Sequence, residues 1–479
     1  MRLRAAALLA CVCTAAALAP AAGLVSRYGG ADPAVVAVAG PYGLELRTAR
    51  TCAAGETLVA LPRSAQLSAH LEADLDASAR RLRAATPADV WSCRLGVSVL
   101  VELLRGPSSP FAEYVDSLPR AYSVPMFWTA PEVAALDYPP LVTQVQKRGR
   151  LLAKLGTEGY SVAAAPVDTS SLGWAMAASS SRAFRLGPSE TPTLLPLIDM
   201  CNHAAAPSAV VVPAKDGAVV LKVGAAPLPE GAEVSLSYGA LSNDDLLLDY
   251  GFILDDNPND TVQIAAGADL IDAACAVAGL ATLESALGEG PWRAEYLARF
   301  GFGQAQGGKA GFGTAVSISA RGVDVGLLCA LRAVFAPSEA EAARCAGPAA
   351  PPLADASAET KALRTAAACC AIALSRFSGS VEDDEDVVLT QELTPAMLMA
   401  VRFRLAKKRV LAAAIARVGA AIEAVASGNA PPAIAVAAAT SDDRPNRAAA
   451  RRLAKATKEV VVKKKGKGPA SGSGGGFGR

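Results

Sequence analysis

Residues 171–257 constrain the fold and the function of this chain more than any other part of it. They contain three motifs in close order: SSRAFRL over 180–186, LLPLIDMCNH over 194–203, and GAEVSLSYGALSNDDLLLDYGF over 231–252. Each motif concentrates polar or aromatic side chains next to an apolar run, which a purely structural segment has little reason to contain. We therefore expect the functional site to be built from this stretch.

The motif LLPLIDMCNH brings Asp199, Asn202 and His203 together after an apolar run, and this histidine is one of only two in the chain. On a helical turn, Asp199 and His203 would share one face. A polar helix start or a hydrogen-bonded core histidine also fits the pattern. We expect no metal site, because Asp and His at this spacing supply two ligands and no His or Cys pattern completes a set.

The third motif combines a predicted strand with a predicted helix. EVSLSYG alternates apolar and polar residues, as a half-buried strand does, and ends at Tyr238. SNDDLLLDYGF predicts a capped helical segment, with Ser242 or Asn243 as the N-cap and Tyr250 near its end. Either tyrosine alone would usually be a packing residue. Two tyrosines together with the Asn-His pair favour a site.

In this order the motifs resemble the SET-domain protein methyltransferases, and more narrowly the branch typified by the plant rubisco large-subunit lysine methyltransferase. The resemblance rests on NH after an apolar run, the strand ending in SYG, the SN..L...YGF pattern and SSRAF upstream. GPYGLELRTARTCAAGETLVALP over 40–62 matches the same branch. VRFRLAKKRVL over 401–411 resembles that branch's substrate-binding lobe. The resemblance spans about residues 32–428.

The resemblance implies an α+β fold. It predicts a β-rich SET domain over 32–267 with an inserted helical block at about 68–165, and an all-α C-terminal substrate-binding lobe over 268–440. The residues agree, because short apolar segments alternate with turn signals over 35–62, whereas apolar residues recur at helical spacing over 71–155 and again after 268. The glycine-rich stretch 301–313 lacks the context of a nucleotide-binding loop. The basic, Gly-rich segment 441–479 is expected to be a disordered tail.

The resemblance also implies a site for S-adenosyl-L-methionine and for a lysine side chain. It makes Tyr238 the catalytic residue. The implied cofactor-binding residues are Gly40, Pro41, Tyr42, Arg182, Asn202 and His203. The implied substrate-binding residues are Ser181, Arg182, Arg185, Asp199, Tyr238 and Tyr250.

The chain departs from the family pattern at two places. The family commonly has an acidic residue where Gly40 stands, so the side-chain contact from that position is lost. The plant enzymes place a further tyrosine on the strand after NH, but no tyrosine occurs here between Tyr160 and Tyr238. The pocket wall therefore differs, which bears on the acceptor and on the number of methyl groups transferred.

Three functions follow as hypotheses. The first is a protein-lysine N-methyltransferase acting on a non-histone protein, with the rubisco large subunit or another plastid protein as the candidate substrate. The second keeps the fold and cofactor but methylates histidine, as the actin-directed relatives do. The third is a catalytically silent peptide-binding module. The expected partner is a protein segment containing lysine, and we expect a monomer.

The amino-acid composition excludes some other classes of protein. The chain of 479 residues has 52% hydrophobic and 19% charged residues and a formal net charge of +1, which is typical of a soluble globular protein and not of a dedicated nucleic-acid binder. Its ten cysteines form no CxxC pair, so we expect free thiols.

The first residues predict a leader over 1–31. Arg2 and Arg4 precede an apolar stretch over 5–18 that is too short to span a bilayer, and small residues near 17–19 provide a plausible cleavage point. The segment resembles the two-part plastid leaders of algae with secondary plastids. We therefore expect a plastid location and no membrane association after leader removal, with cytoplasm or nucleus as the alternative if the leader does not function.

Overall fold

The N-terminal part of the structure is a series of short antiparallel strands. The structure is a computed structural model that describes residues 15–30, 32–70, 72–186, 191–302, 314–347 and 349–436. Its first elements are helix α1 (Ala15–Tyr28) and strands β1 (Val35–Gly40), β2 (Gly43–Thr48), β3 (Thr57–Leu61) and β4 (Leu67–Ser68). β1 and β2 form a hairpin in which Gly40 pairs with Gly43. The strands and the turn at Gly40-Pro41 that alternation predicts are therefore confirmed.

A block of helices follows the first strands. Its helices are α2 (Ala77–Ala85), α3 (Trp91–Arg105), α4 (Ala112–Ser117), α5 (Ala130–Ala134) and α6 (Pro139–Thr157). Asp76 caps α2 by accepting a hydrogen bond from the Ala79 N–H, and Pro139 stands at the start of α6, where a missing N–H costs nothing. These helices fall within the part of the chain where apolar spacing predicts helix.

The motif-bearing stretch forms short elements joined by loops. They are β5 (Ser161–Val162), β6 (Ala165–Pro166), α7 (Thr169–Arg182), β7 (Ala183–Arg185), β8 (Pro192–Leu194), β9 (Asn202–His203), β10 (Ala209–Pro213), β11 (Val219–Val223), β12 (Ser235–Leu236) and α8 (Asn243–Asp245). α8 continues into a π-helical turn, Leu246–Tyr250. β10, β11 and β3 make one sheet, and β7, β8 and β4 make another.

The C-terminal part is mainly helical. It contains β13 (Thr261–Ala266), α9 (Ala268–Val277), α10 (Leu283–Gly288), α11 (Trp292–Arg299), β14 (Thr314–Ser319), β15 (Val323–Asp324), α12 (Val325–Phe335), α13 (Glu339–Cys345), α14 (Ala356–Leu374), α15 (Val381–Thr390), α16 (Pro395–Ala426) and β16 (Ala435–Val436). The α+β class is confirmed. The sequence predicts an all-α lobe, but β14 pairs with β13 and β15 pairs with β16, so the lobe also contains strands.

Two hydrophobic cores meet at the motif-bearing stretch. The first contains the apolar residues around Leu197, Ile198 and Leu236 together with the N-terminal strands. The second contains Leu247 of the π-helical turn, packed with α6 and the C-terminal helices. The segment from Asn202 to Tyr250 therefore lies where the two cores adjoin.

Part of the predicted leader lies against the first core. Residues 15–28 form α1, and its Leu24 and Val25 are buried in the first core, where Leu24 is 2% exposed. Arg27 also forms an ion pair with Glu113 at 3.0 Å. The assignment of residues 1–31 to a leader stays a prediction. Residues 1–14, most of the glycine-rich stretch and the predicted tail lie outside the described residues.

Candidate active site

Tyr238 is fixed at its backbone and at its hydroxyl by the segment that precedes β10. β9 pairs in parallel with β12, with Asn202 opposite Ser235 and His203 opposite Leu236. The Tyr238 N–H donates to Nδ1 of His203 at 3.1 Å, and the Tyr238 hydroxyl donates to the carbonyl oxygen of Cys201 at 2.8 Å. The phenol oxygen is thereby held in one place beside the Asn-His pair.

Aromatic rings form a continuous wall around Tyr238. The rings of Tyr238 and Tyr250 stack with centroids 4.9 Å apart, and the His203 ring lies 5.3 Å from Tyr238. Phe252 packs against both Tyr250 and His203, at 6.2 and 6.5 Å. A wall of ring faces attracts a cation through the ring quadrupoles and excludes water from it.

The π-helical turn that carries Tyr250 follows the capped helix α8 and is anchored by α6. Ser242 caps α8 by accepting a hydrogen bond from the Asp245 N–H, as predicted. Arg148 of α6 donates to the Leu248 carbonyl at 3.0 Å and pairs with Asp249 at 2.7 Å. Gly251 ends the turn with φ 80°, a conformation that glycine adopts readily and other residues rarely do.

A buried polar cluster lies on the other side of Cys201. Arg182 contacts the Asp199 carboxylate at 3.5 Å and donates to the Asp199 carbonyl at 3.2 Å. The Tyr114 hydroxyl donates to Asp199 Oδ2 at 2.7 Å. Nε of Arg182, Oδ1 of Asp199 and the Tyr122 hydroxyl are buried and have no hydrogen-bond partner among the described residues. Buried polar atoms without partners are rare, so these atoms are candidates to contact a polar group of a ligand.

Burial and charge set the protonation states at the site. Burial raises the pKa of Tyr238 and of Tyr250 above the ordinary value, so both phenols are neutral at physiological pH. Burial also lowers the pKa of His203, which keeps the imidazole neutral with Nδ1 as an acceptor. Burial opposes the charge of Arg182, but the adjacent Asp199 outweighs it and raises the pKa of the guanidinium. No group here is poised as a strong base.

Asn202 lies between two carboxylates. Its side-chain Nδ2 donates to Glu233 Oε1 at 2.9 Å and, more weakly, to Glu45 Oε2 at 3.4 Å. Arg47 donates to Glu45 Oε1 at 2.8 Å and to the Gly231 carbonyl at 3.0 Å. The amide nitrogen is therefore occupied, and its Oδ1 is left as the acceptor of the side chain.

The remaining predicted residues lie at several places around this centre. Gly40 ends β1, and Pro41 and Tyr42 form the hairpin turn, where Tyr42 is 74% exposed. The Ser181 hydroxyl donates to the Ala177 carbonyl at 2.8 Å. The Arg185 guanidinium lies over the Trp91 ring, 4.7 Å from its centroid. The roles of these residues toward a cofactor or a substrate stay predictions.

The sequence does not predict one buried network beneath the site. Lys407 of α16 is fully buried, contacts Asp244, lies 2.7 Å from Asp260 Oδ1 and donates to the Thr261 carbonyl at 2.8 Å. Asn243 donates through Nδ2 to Asp260 Oδ2 at 3.2 Å. The only sequence signal is a lysine on the apolar face of a long helix, where a charge needs a partner.

The described residues contain no candidate metal site and no helix that could cross a membrane. Among these residues no three His, Cys, Asp or Glu side chains are grouped so that they could hold a metal ion. No helix in this part of the chain is long and apolar enough to cross a membrane. The described cysteines are buried and free.

The C-terminal part matches a known domain family. Residues 290–411 match the family described as Rubisco LSMT substrate-binding. The fold is similar to a crystal structure of the SET domain of LSMT bound to lysine and AdoHcy, with a TM-score of 0.61 and 17% identity, covering 86% of this chain and 92% of that chain. A structure of Rubisco LSMT bound to AdoMet gives a TM-score of 0.59 at 17% identity, covering 86% of this chain and 94% of that one.

Curated proteins with similar sequences are methyltransferases by name. The chain is 28% identical over 175 residues to ribosomal lysine N-methyltransferase set10 of Schizosaccharomyces pombe, covering 34% of this chain and 32% of that protein. It is 27% identical over 179 residues to actin-histidine N-methyltransferase of Danio rerio, covering 34% and 29%. The chain thus spans about a third of the length of these relatives.

Together, the β-rich core, the inserted helices and the parallel pairing of β9 with β12 define this chain as a SET-fold protein with a helical C-terminal lobe. This fold is similar to that of the Rubisco LSMT structures, and the C-terminal lobe contains the region that matches the Rubisco LSMT substrate-binding family.

Proposed function

We propose that this protein is an S-adenosyl-L-methionine-dependent protein-lysine N-methyltransferase. The observation that carries the proposal is the fixed phenol of Tyr238, held by the Cys201 carbonyl and stacked on Tyr250 beside the Asn202-His203 strand. The set10 relative, named as a ribosomal lysine N-methyltransferase, supports lysine as the acceptor.

The residues at the site fit the cofactor. When bound, S-adenosyl-L-methionine supplies an electrophilic methyl group, which moves from sulfur to the acceptor nitrogen in one in-line displacement. Arg182 carries a buried positive charge with Nε unpartnered among the described residues, and it suits the carboxylate of the methionine portion. Asn202 offers its amide oxygen, and the turn at Gly40-Pro41 offers backbone groups close by.

The aromatic wall would prepare the acceptor. A lysine amine has a pKa of about 10.4 in water, so the site must favour its uncharged form. Removal of water by the rings of Tyr238, Tyr250 and Phe252 disfavours the ammonium and leaves a neutral nucleophile. The stem of a lysine can lie along these ring faces while its nitrogen points at Tyr238.

Tyr238 would act by position and not as a base. Burial raises the pKa of Tyr238, so the phenol keeps its proton. The hydroxyl donates a hydrogen bond to the Cys201 carbonyl. The lone pairs of the oxygen remain available to the positive charge that is shared between donor and acceptor during transfer. The excess proton of the methylated amine leaves to water. Alignment thus supplies most of the rate.

Histidine is the second candidate acceptor. Two observations favour it: the relatives named actin-histidine N-methyltransferase, and the lack of a tyrosine between Tyr160 and Tyr238, which leaves part of the pocket wall different from that of the plant enzymes. A neutral imidazole needs no deprotonation near pH 7. The ring wall would accept it by stacking.

The substrate is proposed to be a segment of a non-histone protein bound across the C-terminal domain. The domain match over 290–411 supports a substrate of the rubisco large-subunit kind, and the leader-like first residues support a plastid setting. Cytoplasm or nucleus is the alternative location.

The test is incubation of the full chain with methyl-labelled S-adenosyl-L-methionine and a plastid or whole-cell lysate. The labelled protein is then digested and its modified residue identified by mass spectrometry, with the Tyr238→Phe variant as the matched control. We expect label on lysine that depends on Tyr238. Label on histidine would favour the second candidate, and a lack of label together with a lack of cofactor binding would overturn the proposal.

A further inference from the structure

The polar groups around Asn202 carry an excess of negative charge. Glu45 and Glu233 both accept from Asn202 Nδ2, and Arg47 is the cation that pairs with Glu45. Two carboxylates and one guanidinium leave a net charge of −1 at this end of the site. At the other end, Asp199 is balanced by Arg182. The site is therefore asymmetric, with its spare negative charge beside Asn202.

Glu45 reaches this place through the space left by a glycine. Gly40 is in ordinary extended backbone, so its conformation does not call for glycine. A Cβ added at Gly40 would overlap the carboxylate of Glu45. Gly40 and Glu45 lie on the same face of the hairpin, because Glu45 pairs with Val38, two residues before Gly40. The glycine thus makes room for the acid.

The Glu45 carboxylate is buried but accepts fewer hydrogen bonds than its two oxygens can. Its side chain is 3% exposed, and both contacts from Arg47 go to Oε1, at 2.8 and 2.7 Å. Among the described residues, the only hydrogen bond to Oε2 is the long 3.4 Å contact from Asn202 Nδ2. A buried carboxylate oxygen with one weak donor is ready to accept a further charged donor.

We propose that Glu45, given room by Gly40 and oriented by Arg47, binds the α-ammonium group of the cofactor's methionine portion together with the amide oxygen of Asn202. This inference rests on the proposed function. The cofactor has one carboxylate and one ammonium on the same carbon. The site has the Arg182 Nε–H, which has no hydrogen-bond partner among the described residues, at one end and an excess of negative charge at Glu45 at the other. The two ends of the site therefore fix the amino-acid portion in one orientation.

The test uses S-adenosylhomocysteine as the probe, because its sulfur is uncharged and the ammonium is its only cation. Binding to the full chain is measured by calorimetry and compared with binding of the deaminated analogue, in which hydrogen replaces the amino group. We expect Glu45→Gln to weaken S-adenosylhomocysteine about ten- to a hundredfold, since a hydrogen bond to a charged group is lost, and to change the analogue less than about twofold. Gly40→Ala should act in the same direction by displacing the carboxylate.

Glu56→Gln is the matched control, because Glu56 also pairs with an arginine, Arg50, at 2.8 Å on the neighbouring strand connection. It should leave both affinities unchanged. The inference is overturned if Glu45→Gln and Gly40→Ala bind S-adenosylhomocysteine as the unaltered chain does, or if they weaken both ligands equally. Failure of the unaltered chain to bind S-adenosylhomocysteine would instead remove the proposed function, and this inference with it.

Discussion

Tyr238 and Tyr250 lie ring on ring, with centroids 4.9 Å apart and planes inclined by 26°. Tyr238 lies two residues after β12, the strand that pairs with Asn202–His203. Tyr250 ends the π-helical turn whose Leu247 belongs to the second core. The contact therefore joins the two parts of the molecule at the place where the chemistry is proposed.

Tyr238→Phe should lower kcat by about a hundredfold or more, the size of effect seen when one positioned polar group is removed from a reaction centre. The ring stack with Tyr250 survives this change, so cofactor affinity should stay within about twofold. Steady-state kinetics and calorimetry measure the two effects. Tyr160→Phe is the control, because that hydroxyl bonds Glu158 at the surface. A Tyr238→Phe protein with normal turnover would take Tyr238 out of the proposed chemistry.

Replacement of Tyr250 should act on the acceptor more than on the cofactor. Tyr250→Ala removes the ring that stacks on Tyr238 and packs against Phe252, so KM for a peptide substrate should rise about tenfold, from a loss of about 1–2 kcal/mol. Tyr250→Phe keeps the ring and should raise KM by a smaller factor. Peptide titrations at saturating cofactor distinguish the two. An equal effect of both variants would mean that the hydroxyl, and not the ring, is what matters.

His203 should make the fold sensitive to acid. Its pKa is lowered by burial in the folded protein, so the stability that it contributes is fully present above the unfolded value of about 6.5 and is lost as pH falls from there toward the folded value. Protonation of Nδ1 would also break the hydrogen bond from the Tyr238 N–H.

We expect the melting temperature of the unaltered chain, relative to His203→Gln, to fall on acidification from about pH 7.5 to about pH 5.5. Differential scanning calorimetry of both proteins across this range is the measurement. A constant difference across the range would exclude titration of His203.

Lys407→Met should destabilise the protein by about 3–5 kcal/mol, because it leaves the carboxylates of Asp244 and Asp260 without their buried partner. Those two acids raise the pKa of Lys407 in spite of its burial, so the lysine is charged. Urea unfolding followed by circular dichroism measures the loss. Lys154→Met is the control, since that side chain is 71% exposed. The added change Asp260→Asn should restore part of the stability, and no recovery would argue against charge as the cause.

Local patterns predict the elements whose hydrogen bonds are local. The strands over residues 35–61 and the Ser242 cap are found where alternation and capping chemistry predict them. The predicted helical turn from Asp199 to His203 is wrong. Leu197 adopts φ 71°, only a short 3₁₀ turn, Ile198–Met200, follows, and Asn202–His203 is a strand. Its partner, Ser235–Leu236, lies far along the chain, and no local pattern reports such a pairing.

Contacts that only the structure shows explain why sequence patterns do not single out Glu45 or Lys407. Glu45 occupies an ordinary strand position, and its importance is visible only when its carboxylate is found in the space beside Gly40. Lys407 lies on the apolar face of a long helix, and the sequence does not show which acids pair with it. It is buried because Asp260, 147 residues earlier, neutralises it.

The buried contacts of Lys407 limit how the C-terminal lobe can be exchanged between proteins of this fold. Helix α16 of the C-terminal lobe places the charged Lys407 beneath the segment that ends in Tyr250, so the lobe cannot be exchanged independently of that segment. A chimaera that receives this C-terminal domain from another chain must also receive the acids that match its lysine. Redesign of the lobe should therefore change its loops and leave α16 in place.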